Sequence, residues 1–445
     1  MNGPVNSEDR KIAAIINKQL HQLRKQGRLL GRALAYPNFR LFFCGQGLSL
    51  LGTWVQSIAM SWLVYRLSGS GLLLGLVSFA GQIPSLLFSP FIGVWVDRLP
   101  RRQVLVGTQA LSLLQALILA WLVWTGSEEI WHLLVLSLLL GCINAADMPA
   151  RQALVVELVE AREDRGNAIA LNSVMFNATR LVGPALGGLL IPLVGEAVCF
   201  ALNAVSYLFS LVSLLLLQLA AAEKETEPKS WRRGFWDGWN YTFGHPPIRQ
   251  LLQLLALMSL SAMPYTVLLP VLAVRYFGGG APLLGTLMAM AGAGSLCGAL
   301  ILAFRRSIVG LERWVGAAAL LAALSLLALS TGVPVEIASM LLFALGVGLL
   351  FLIVGVNTLL QHMVPDRLRG RVMSFYNMSF LGLVPLGCIA AGQGADVVGV
   401  LAMLQYCGWA CLAAAILFLR QLPSFQGKAC QIYQNSGHLG PDEKC

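Results

Sequence analysis

Charged residues are scarce in this 445-residue chain. Only 12% of its residues are Asp, Glu, Lys or Arg, whereas soluble globular proteins contain about 25%. Hydrophobic residues make up 57% of the chain and are collected in long runs. Because about 20 consecutive apolar residues form a helix that crosses a bilayer, this composition excludes a series of soluble domains and indicates an integral membrane protein.

Side chains suited to catalysis or metal binding are few as well. The sequence contains no glycine-rich nucleotide loop, and its nine cysteines follow no metal-ligand spacing. The five histidines fall in tails, in connections or at the ends of apolar runs: His21, His132, His245, His362 and His438. No nucleophile has a base within reach. We therefore expect neither an enzyme nor a bound metal or cofactor.

Twelve apolar runs are each long enough to cross a bilayer. Numbered as spans one to twelve, they cover residues 41–65, 72–95, 104–124, 131–158, 168–194, 198–219, 251–274, 283–303, 314–331, 337–363, 372–395 and 400–419. The sequence therefore predicts an all-α integral membrane protein with 12 transmembrane helices.

The net charge of +10 reflects membrane topology, so it does not call for a nucleic-acid partner. When both termini are placed in the cytoplasm, 27 of the 31 Lys and Arg residues lie on the cytoplasmic side: eight in the first 40 residues, 16 in connections and three in the C-terminal tail. Such an excess marks the cytoplasmic side of a membrane protein. We expect a multi-pass protein of the bacterial cytoplasmic (inner) membrane, without a cleavable signal peptide.

The longest connection divides the chain into two related halves. Gly93 and Gly298 are 205 positions apart, and so are Val159 and Val364. Parallel halves of six spans each place a transport site at their interface. The expected units are a basic amphipathic N-terminal tail at 1–38, a first six-helix bundle at 39–219, a connection at 220–250, a second bundle at 251–419 and a C-terminal tail at 420–445.

Three charged residues lie inside apolar spans of the first half. Asp147 and Arg151 fall in span four, and Arg180 falls in span five at nearly the same depth. An ionisable group at membrane depth is costly, so it is usually paired and often marks a pathway. Asp147 is the candidate for proton coupling. Alternatively, it forms a permanent ion pair with Arg151 or Arg180 that only holds the helices together. When Asp147 pairs once, the arginine left over is a candidate to attract an anionic group.

Other polar and aromatic side chains within the spans are candidates for a substrate cavity. Span one carries so many polar groups that one of its faces is expected to meet a cavity or another helix rather than lipid. The further cavity candidates are Gln46, Trp54, Gln56, Asn144, Asn177 and Tyr265.

The segment from Gly93 to Arg102 reads Gly-x-x-x-Asp-Arg-x-x-Arg-Arg, which resembles the signature loop of the major facilitator superfamily. The resemblance implies that Asp97 locks a facing helix of the second half, for which span eleven is the candidate. It also implies that Arg101 or Arg98 pairs with Glu157 at the end of span four. The expected gating residues are therefore Gly93, Asp97, Arg98, Arg101, Arg102 and Glu157.

Span five contains Gly183, Pro184, Gly187 and Gly188, which resemble the antiporter signature of this superfamily and imply a hinge. The upstream glycines of that signature are absent here. Residues 38–70, 147–173 and 176–188 are similar to the enterobactin-exporter-like branch, which includes siderophore and drug exporters. The similarity extends over about residues 37–420 and is stronger in the first half.

The resemblance implies a secondary active transporter that works by alternating access in the lipid bilayer. We expect proton-coupled export of a small amphiphilic or anionic molecule, such as a siderophore or drug, by a monomer. A lysophospholipid or lipid transporter of the same fold is the alternative, followed by a uniporter or importer. A membrane sensor or scaffold without transport belongs to a different functional class and would show no flux in liposomes.

Overall fold

The computed structural model describes residues 32–96, 99–218, 239–305 and 310–435, and every regular element within them is helical. The tail expected at 1–38 and the connection expected at 220–250 therefore lie partly outside the described residues. Spans one to four are the helices Pro37–Ser68, Gly71–Val96, Arg101–Thr125 and Ile130–Glu157. Spans five and six form one helical element, Arg162–Leu216, which is interrupted at Gly195.

In the second half, spans seven and eleven are broken helices. Span seven consists of Pro246–Ser261, Tyr265–Val271 and a π-helical turn, Leu272–Tyr276. Spans eight, nine and ten are Ala281–Phe304, Leu311–Leu329 and Val335–Met363. Span eleven consists of Asp366–Leu381 and Val384–Val398, and span twelve is Val400–Asn435.

These helices confirm the twelve predicted spans. Ten helical segments are long and apolar enough to cross a membrane. One of them, Glu163–Leu216, contains two spans, and the shorter apolar helix Gly71–Leu87 supplies the remaining one. The division of the long element follows from Gly195, whose φ of 81° interrupts the helix.

Contacts between helix ends define two sides of the bundle. Asn38, at the start of span one, donates from Nδ2 to the carbonyl oxygen of Gln218, just after span six, over 2.8 Å. At the other end of the same two spans, Arg66 pairs with Glu196 over 2.9 Å. We call the side of Asn38 the tail side, because the chain enters and leaves the bundle there, and the side of Arg66 the far side.

Glycines shape all six connections on the far side. Each of these connections contains a glycine with a φ between 61° and 91°, a conformation that other residues rarely adopt: Gly69, Gly126, Gly195, Gly278, Gly332 and Gly399. The three glycines of the first half recur 209, 206 and 204 positions later. Both halves therefore have the same order of spans in the same orientation, which confirms two parallel six-helix repeats.

The last span continues beyond residue 419, where the sequence analysis places the start of the C-terminal tail. Helix continues to Asn435, passing Pro423. Phe425 is only 1% exposed, and Gln426 donates to Glu312 at the start of span nine over 2.8 Å. Packing against the second bundle therefore stabilises a segment too polar to be recognised as part of a membrane span.

The two halves touch through small residues between the far side and the middle of the spans. A Cβ atom on Gly188 of span five would lie 2.6 Å from Cα of Gly285 in span eight. A Cβ atom on Gly75 of span two would lie 2.5 Å from the carbonyl oxygen of Cys388 in span eleven. Both distances are too short for a side chain, so the helix backbones are in direct contact there.

Candidate functional site

Asp147 is the centre of a buried polar cluster in the first half. Asp147 is only 3% exposed. Oδ1 accepts hydrogen bonds from Thr108 Oγ1 over 2.8 Å and from Gln109 Nε2 over 2.9 Å. Oδ2 forms an ion pair with Arg151. The carboxylate is thus held by two neutral donors and one cation, as a buried charge requires.

The local sequence explains this arrangement. Asp147 and Arg151 are four residues apart in span four, so their side chains lie on one face of the helix, one turn apart. Thr108 and Gln109 reach Asp147 from span three, and Ser49 of span one donates to Gln109 Oε1 over 3.4 Å. Spans three and four therefore meet at this carboxylate, and span one joins the cluster through Gln109.

Sequence reasoning missed Thr108 and Gln109. The signal was present, because span three carries four buried polar residues in an apolar run: Thr108, Gln109, Ser112 and Gln115. Polar groups that cannot face lipid must face other helices or a cavity. Hydropathy alone does not show which neighbouring carboxylate they reach.

Two of the proposed cavity residues lie inside the first half in this structure. Gln46 and Gln56 are each 3% exposed. Gln56 donates to Gln115 over 3.2 Å and accepts from Asn203 of span six over 2.7 Å. In this conformation Gln56 stabilises helix packing and does not face a cavity.

The two aromatic candidates, Trp54 and Tyr265, also pack against helices. A Cβ atom on Gly183 of span five would lie 2.3 Å from Cβ of Trp54, so Trp54 packs directly against that glycine. Tyr265 is 4% exposed and begins the middle helix of span seven. Tyr265 is therefore buried between helices, whereas Trp54 remains partly exposed beside span five.

Span four has two exposed faces of opposite character. One is apolar and contains Trp131, Val135 and Leu139, as expected for a surface in contact with lipid. The other face exposes Asn144 and Gln152 with Met148 between them, and the partly buried Arg151 lies beside Asn144. Polar groups at this depth are costly against lipid, so this second face is expected to border the space between the halves.

Span five shows where that space opens. Asn177 and Arg180 share one helical face with Pro184 and Gly188. Towards the far side this face is buried, because Gly188 touches span eight of the second half. Towards the tail side Asn177 and Arg180 are partly exposed. The space between the halves is therefore closed at the far side and widens towards the tail side.

Arg180 lies at the boundary between these two regions. Its carbonyl oxygen would be 2.6 Å from a Cβ atom on Gly292 of span eight, so its backbone touches the second half. Its guanidinium forms no ion pair or side-chain hydrogen bond with any of the residues that the structure describes. Of the two pairings expected for Asp147, the structure contains the one with Arg151 and not the one with Arg180.

The signature loop is described only in part. Gly93 belongs to span two, whereas Asp97 and Arg98 lie outside the described residues. Arg101 forms an ion pair with Glu157, one of the two pairings that the resemblance implies. Arg102 donates from Nε to the carbonyl oxygen of Leu214 over 2.7 Å. Arg101 and Arg102 thus hold span three to the tail-side ends of spans four and six.

The glycines of span five serve close packing in this structure. The helix continues through Pro184 without a glycine of positive φ between Gly183 and Gly188. Gly187 faces Ile58 of span one, where a Cβ atom would lie 3.0 Å from Ile58 Cβ. Gly188 faces the second half. The segment expected to be a hinge is therefore the place where span five approaches span one on one side and span eight on the other.

Replacing Gly188 with leucine should push the two halves apart at the far side. Its Cβ atom alone would lie 2.6 Å from backbone atoms that cannot rotate away. Overpacking of this kind costs about 1–3 kcal/mol, which disfavours the far-side-closed conformation by roughly five- to 150-fold and should slow transport. Flux in proteoliposomes measures it. Gly107→Leu is the matched control, because Gly107 has open space around it, and a wild-type rate in Gly188→Leu would contradict the prediction.

Known proteins are similar to this chain in sequence and in fold. A family model described as transmembrane secretion effector matches residues 32–437. The chain is 26% identical over 382 residues to the staphyloferrin A transporter of Staphylococcus aureus, covering 85% of this chain and 95% of that protein. It is also 26% identical over 359 residues to the multidrug efflux pump Tap of Mycolicibacterium fortuitum, covering 78% of this chain and 87% of the pump.

Solved structures agree on the fold. A POT family transporter in complex with 5-aminolevulinic acid has a TM-score of 0.71 and 12% identity, covering 87% of this chain and 96% of its own. A bacterial homologue of the iron transporter ferroportin, in an inward-facing state, has a TM-score of 0.64 and 19% identity, covering 87% and 98%. The family model matches nearly the whole chain, and the helices form two parallel six-span halves. The chain therefore belongs to the transmembrane secretion effector family of the major facilitator superfamily, whose members are transporters and not enzymes.

Proposed function

We propose that this transporter exports a small amphiphilic molecule that carries an anionic group, by alternating access. The observation that carries the proposal is Arg180, a partly exposed guanidinium without an ionic partner among the described residues. The relatives support export of small molecules, since one is a siderophore transporter by name and another a multidrug efflux pump.

The charges of the central face favour an anionic group. Asp147 and Arg151 neutralise each other within span four. Arg180 then leaves one positive charge beside the space between the halves. A buried or half-buried cation without a partner is costly, and an anionic group bound there offsets that cost. Asn144 and Asn177 lie on the same central faces and offer hydrogen bonds to the polar part of a substrate.

The conformation is one in which a substrate could enter the space between the halves. The halves are in contact at the far side, and the polar face of span five is accessible towards the tail side. If the tail side is cytoplasmic, as the distribution of Lys and Arg favours, the structure is open to the cytoplasm. A substrate would enter from there and leave when the far side opens.

We infer that Asp147 would couple substrate binding to proton binding, and that the charge of the substrate decides whether a proton strengthens or weakens substrate binding. A proton on Asp147 removes the negative charge that balances Arg151, so the central face becomes more positive. An anionic group then binds more tightly as the pH falls, whereas a cationic group competes with the proton. Exchange of a proton for a substrate therefore fits a cationic substrate, because proton and substrate compete. An anion moves outward with the membrane potential, which supplies about 2.3 kcal/mol per charge per 100 mV.

Substitution of Arg180 tests the proposal directly. A hydrogen bond to a charged group contributes about 1.5–3 kcal/mol, so Arg180→Gln should reduce transport of an anionic probe by roughly ten- to a hundredfold. Proteoliposomes would be loaded with staphyloferrin A, anionic carboxyfluorescein or cationic ethidium, and efflux would be followed with and without a membrane potential.

The comparison between probes separates charge recognition from loss of folding. Ethidium flux should be unchanged or higher in Arg180→Gln, because a repelling charge has been removed. Arg249→Gln, which changes an exposed arginine on the tail side, is the control. Equal carboxyfluorescein flux in wild type and Arg180→Gln would refute the anionic substrate class.

A further inference from the structure

A carboxylate of the second half caps a helix of the first half on the far side. Asp396, in the last turn of span eleven, accepts hydrogen bonds from the backbone N–H groups of Gly71 and Leu72 over 2.9 Å each. It also accepts from Ser70 Oγ over 2.7 Å. Gly71 is the first residue of span two. A negative charge at a helix N-terminus is stabilised by free N–H groups and the helix dipole.

Arg275 makes a second connection between the halves at the same place. It lies in the π-helical turn of span seven, and its guanidinium is 3.5 Å from Asp396 Oδ1. The same guanidinium donates to the carbonyl oxygen of Gly69 in the first half. The turn from Gly69 to Leu72 is therefore held by a carboxylate and a guanidinium that both belong to the second half.

The packing directly below these contacts allows no intervening side chain. A Cβ atom on Gly71 would lie 2.7 Å from the carbonyl oxygen of Gly392. The polar groups above this contact are reached by water, since the side chains of Asp396 and Arg275 are 24% and 45% exposed. Ordinary surface ion pairs stabilise little, but here backbone N–H groups and close helix packing fix the geometry.

The segments that carry the two residues are separated from the rest of their spans. Span seven is interrupted at 262–264 and span eleven at 382–383, with Pro264 and Pro385 beside the interruptions. The interruptions lie close together, because a Cβ atom on Gly387 would be 2.2 Å from the carbonyl oxygen of Leu260. Breaks and π-helical turns are places where a helix can bend. The far ends of both spans can therefore tilt away from the first half together.

We propose that Asp396 and Arg275 are the positioning residues that hold the far side of the transporter closed. Their contacts with Gly69, Ser70, Gly71 and Leu72 all cross between the halves, so losing them weakens the closed far side. The ion pair between Arg275 and Asp396 is the one contact within the second half that the substitutions also remove. Release of this latch is the step that opens the site to the far side. The proposal does not depend on the substrate class.

Distances between spin labels on the far side would test the latch. Ser127→Cys and Thr331→Cys place one label on each half, at exposed far-side turns, in a background without other accessible cysteines. Loss of a helix cap changes an equilibrium by about two- to thirtyfold. We expect Asp396→Asn and Arg275→Gln each to raise the far-side-open population within that range, and Asp396→Glu to restore part of the closed population.

A matched control and a milder variant keep the outcome clear. Glu336→Gln removes an exposed carboxylate at a far-side span end without a described contact to the first half, and should leave the distances unchanged. Ser70→Ala removes the bond to Asp396 and the long bond that Ser70 Oγ accepts from the N–H group of Leu73, so it serves if Asp396→Asn does not fold. Wild-type distance distributions in Arg275→Gln, Ser70→Ala and any folded Asp396→Asn would overturn the proposal.

Discussion

Replacing Asp147 with alanine is expected to lower the free energy of unfolding by about 3–5 kcal/mol, as removal of one partner from a buried ion pair does. Arg151 would lose its counter-ion, and Nε of that guanidinium is already buried without a hydrogen-bond partner among the described residues. Thr108 and Gln109 would lose the acceptor that they share. Transport should fall to background, because the central face would carry two uncompensated positive charges.

Thermal unfolding in detergent and flux in proteoliposomes measure the two effects. Asp164→Ala is the control, because Asp164 lies on the tail side, 3.9 Å from Arg32 in a partly exposed ion pair, and accepts a hydrogen bond from the Tyr36 hydroxyl over 3.0 Å. The ion pair contributes about 0–1 kcal/mol and the hydrogen bond about 0.5–1.5 kcal/mol, together less than is expected for Asp147. If Asp147→Ala and Asp164→Ala lower the stability equally, the cluster around Asp147 does not stabilise the first half.

The membrane architecture could be predicted from the sequence because hydropathy alone determines it. A run of about 20 apolar residues is expected to become a helix, because a helix pairs its backbone N–H and C=O groups within the segment, as lipid requires. The repeat was also visible, as Val159 and Val364 lie 205 positions apart and the structure adds Gly126 and Gly332 at 206. Hydropathy does not show how each helix is rotated about its axis, so the neighbours of each side chain could not be predicted.

Helix rotation explains the expectations that the structure alters. Gln46 and Gln56 lie on a polar face of span one, which could meet either a cavity or neighbouring helices. The structure places that face against spans three and six. The choice between Arg151 and Arg180 as the partner of Asp147 has the same origin. Depth in the membrane is similar for both, but only Arg151 is guaranteed to share a helical face with Asp147.

Backbone breaks were beyond sequence reasoning for another reason. Pro264 and Pro385 lie inside apolar runs that remain long enough to span a bilayer. A proline in a helix can produce a kink, an interruption or little change, depending on what satisfies the freed carbonyl group. The hydrogen bonds of Asp396 to span two join residues more than 300 positions apart, a packing that hydropathy does not predict.

Removing one charge of each sign should recover most of the stability lost in Asp147→Ala. Asp147→Asn with Arg151→Gln leaves no buried charge in span four, and amide groups can still accept and donate hydrogen bonds towards Thr108 and Gln109. We expect unfolding within about 1 kcal/mol of wild type, since replacing both partners of a buried pair is often nearly neutral. Asp147→Asn with Arg180→Gln should remain destabilised, because Arg151 still lacks a counter-ion.

The same double variant separates a proton-coupling role of Asp147 from a purely structural one. If the pair only holds helices together, Asp147→Asn with Arg151→Gln should regain wild-type flux and its pH dependence. If Asp147 carries the proton, the folded double variant should bind an anionic probe equally well at all pH values, whereas wild type binds it more tightly as the pH falls. Carboxyfluorescein efflux with and without an imposed pH gradient, at constant membrane potential, measures this difference. A full response to the gradient in the double variant would remove Asp147 from the coupling mechanism. Asp396, a partly exposed carboxylate at the far side, would then be the next residue to change.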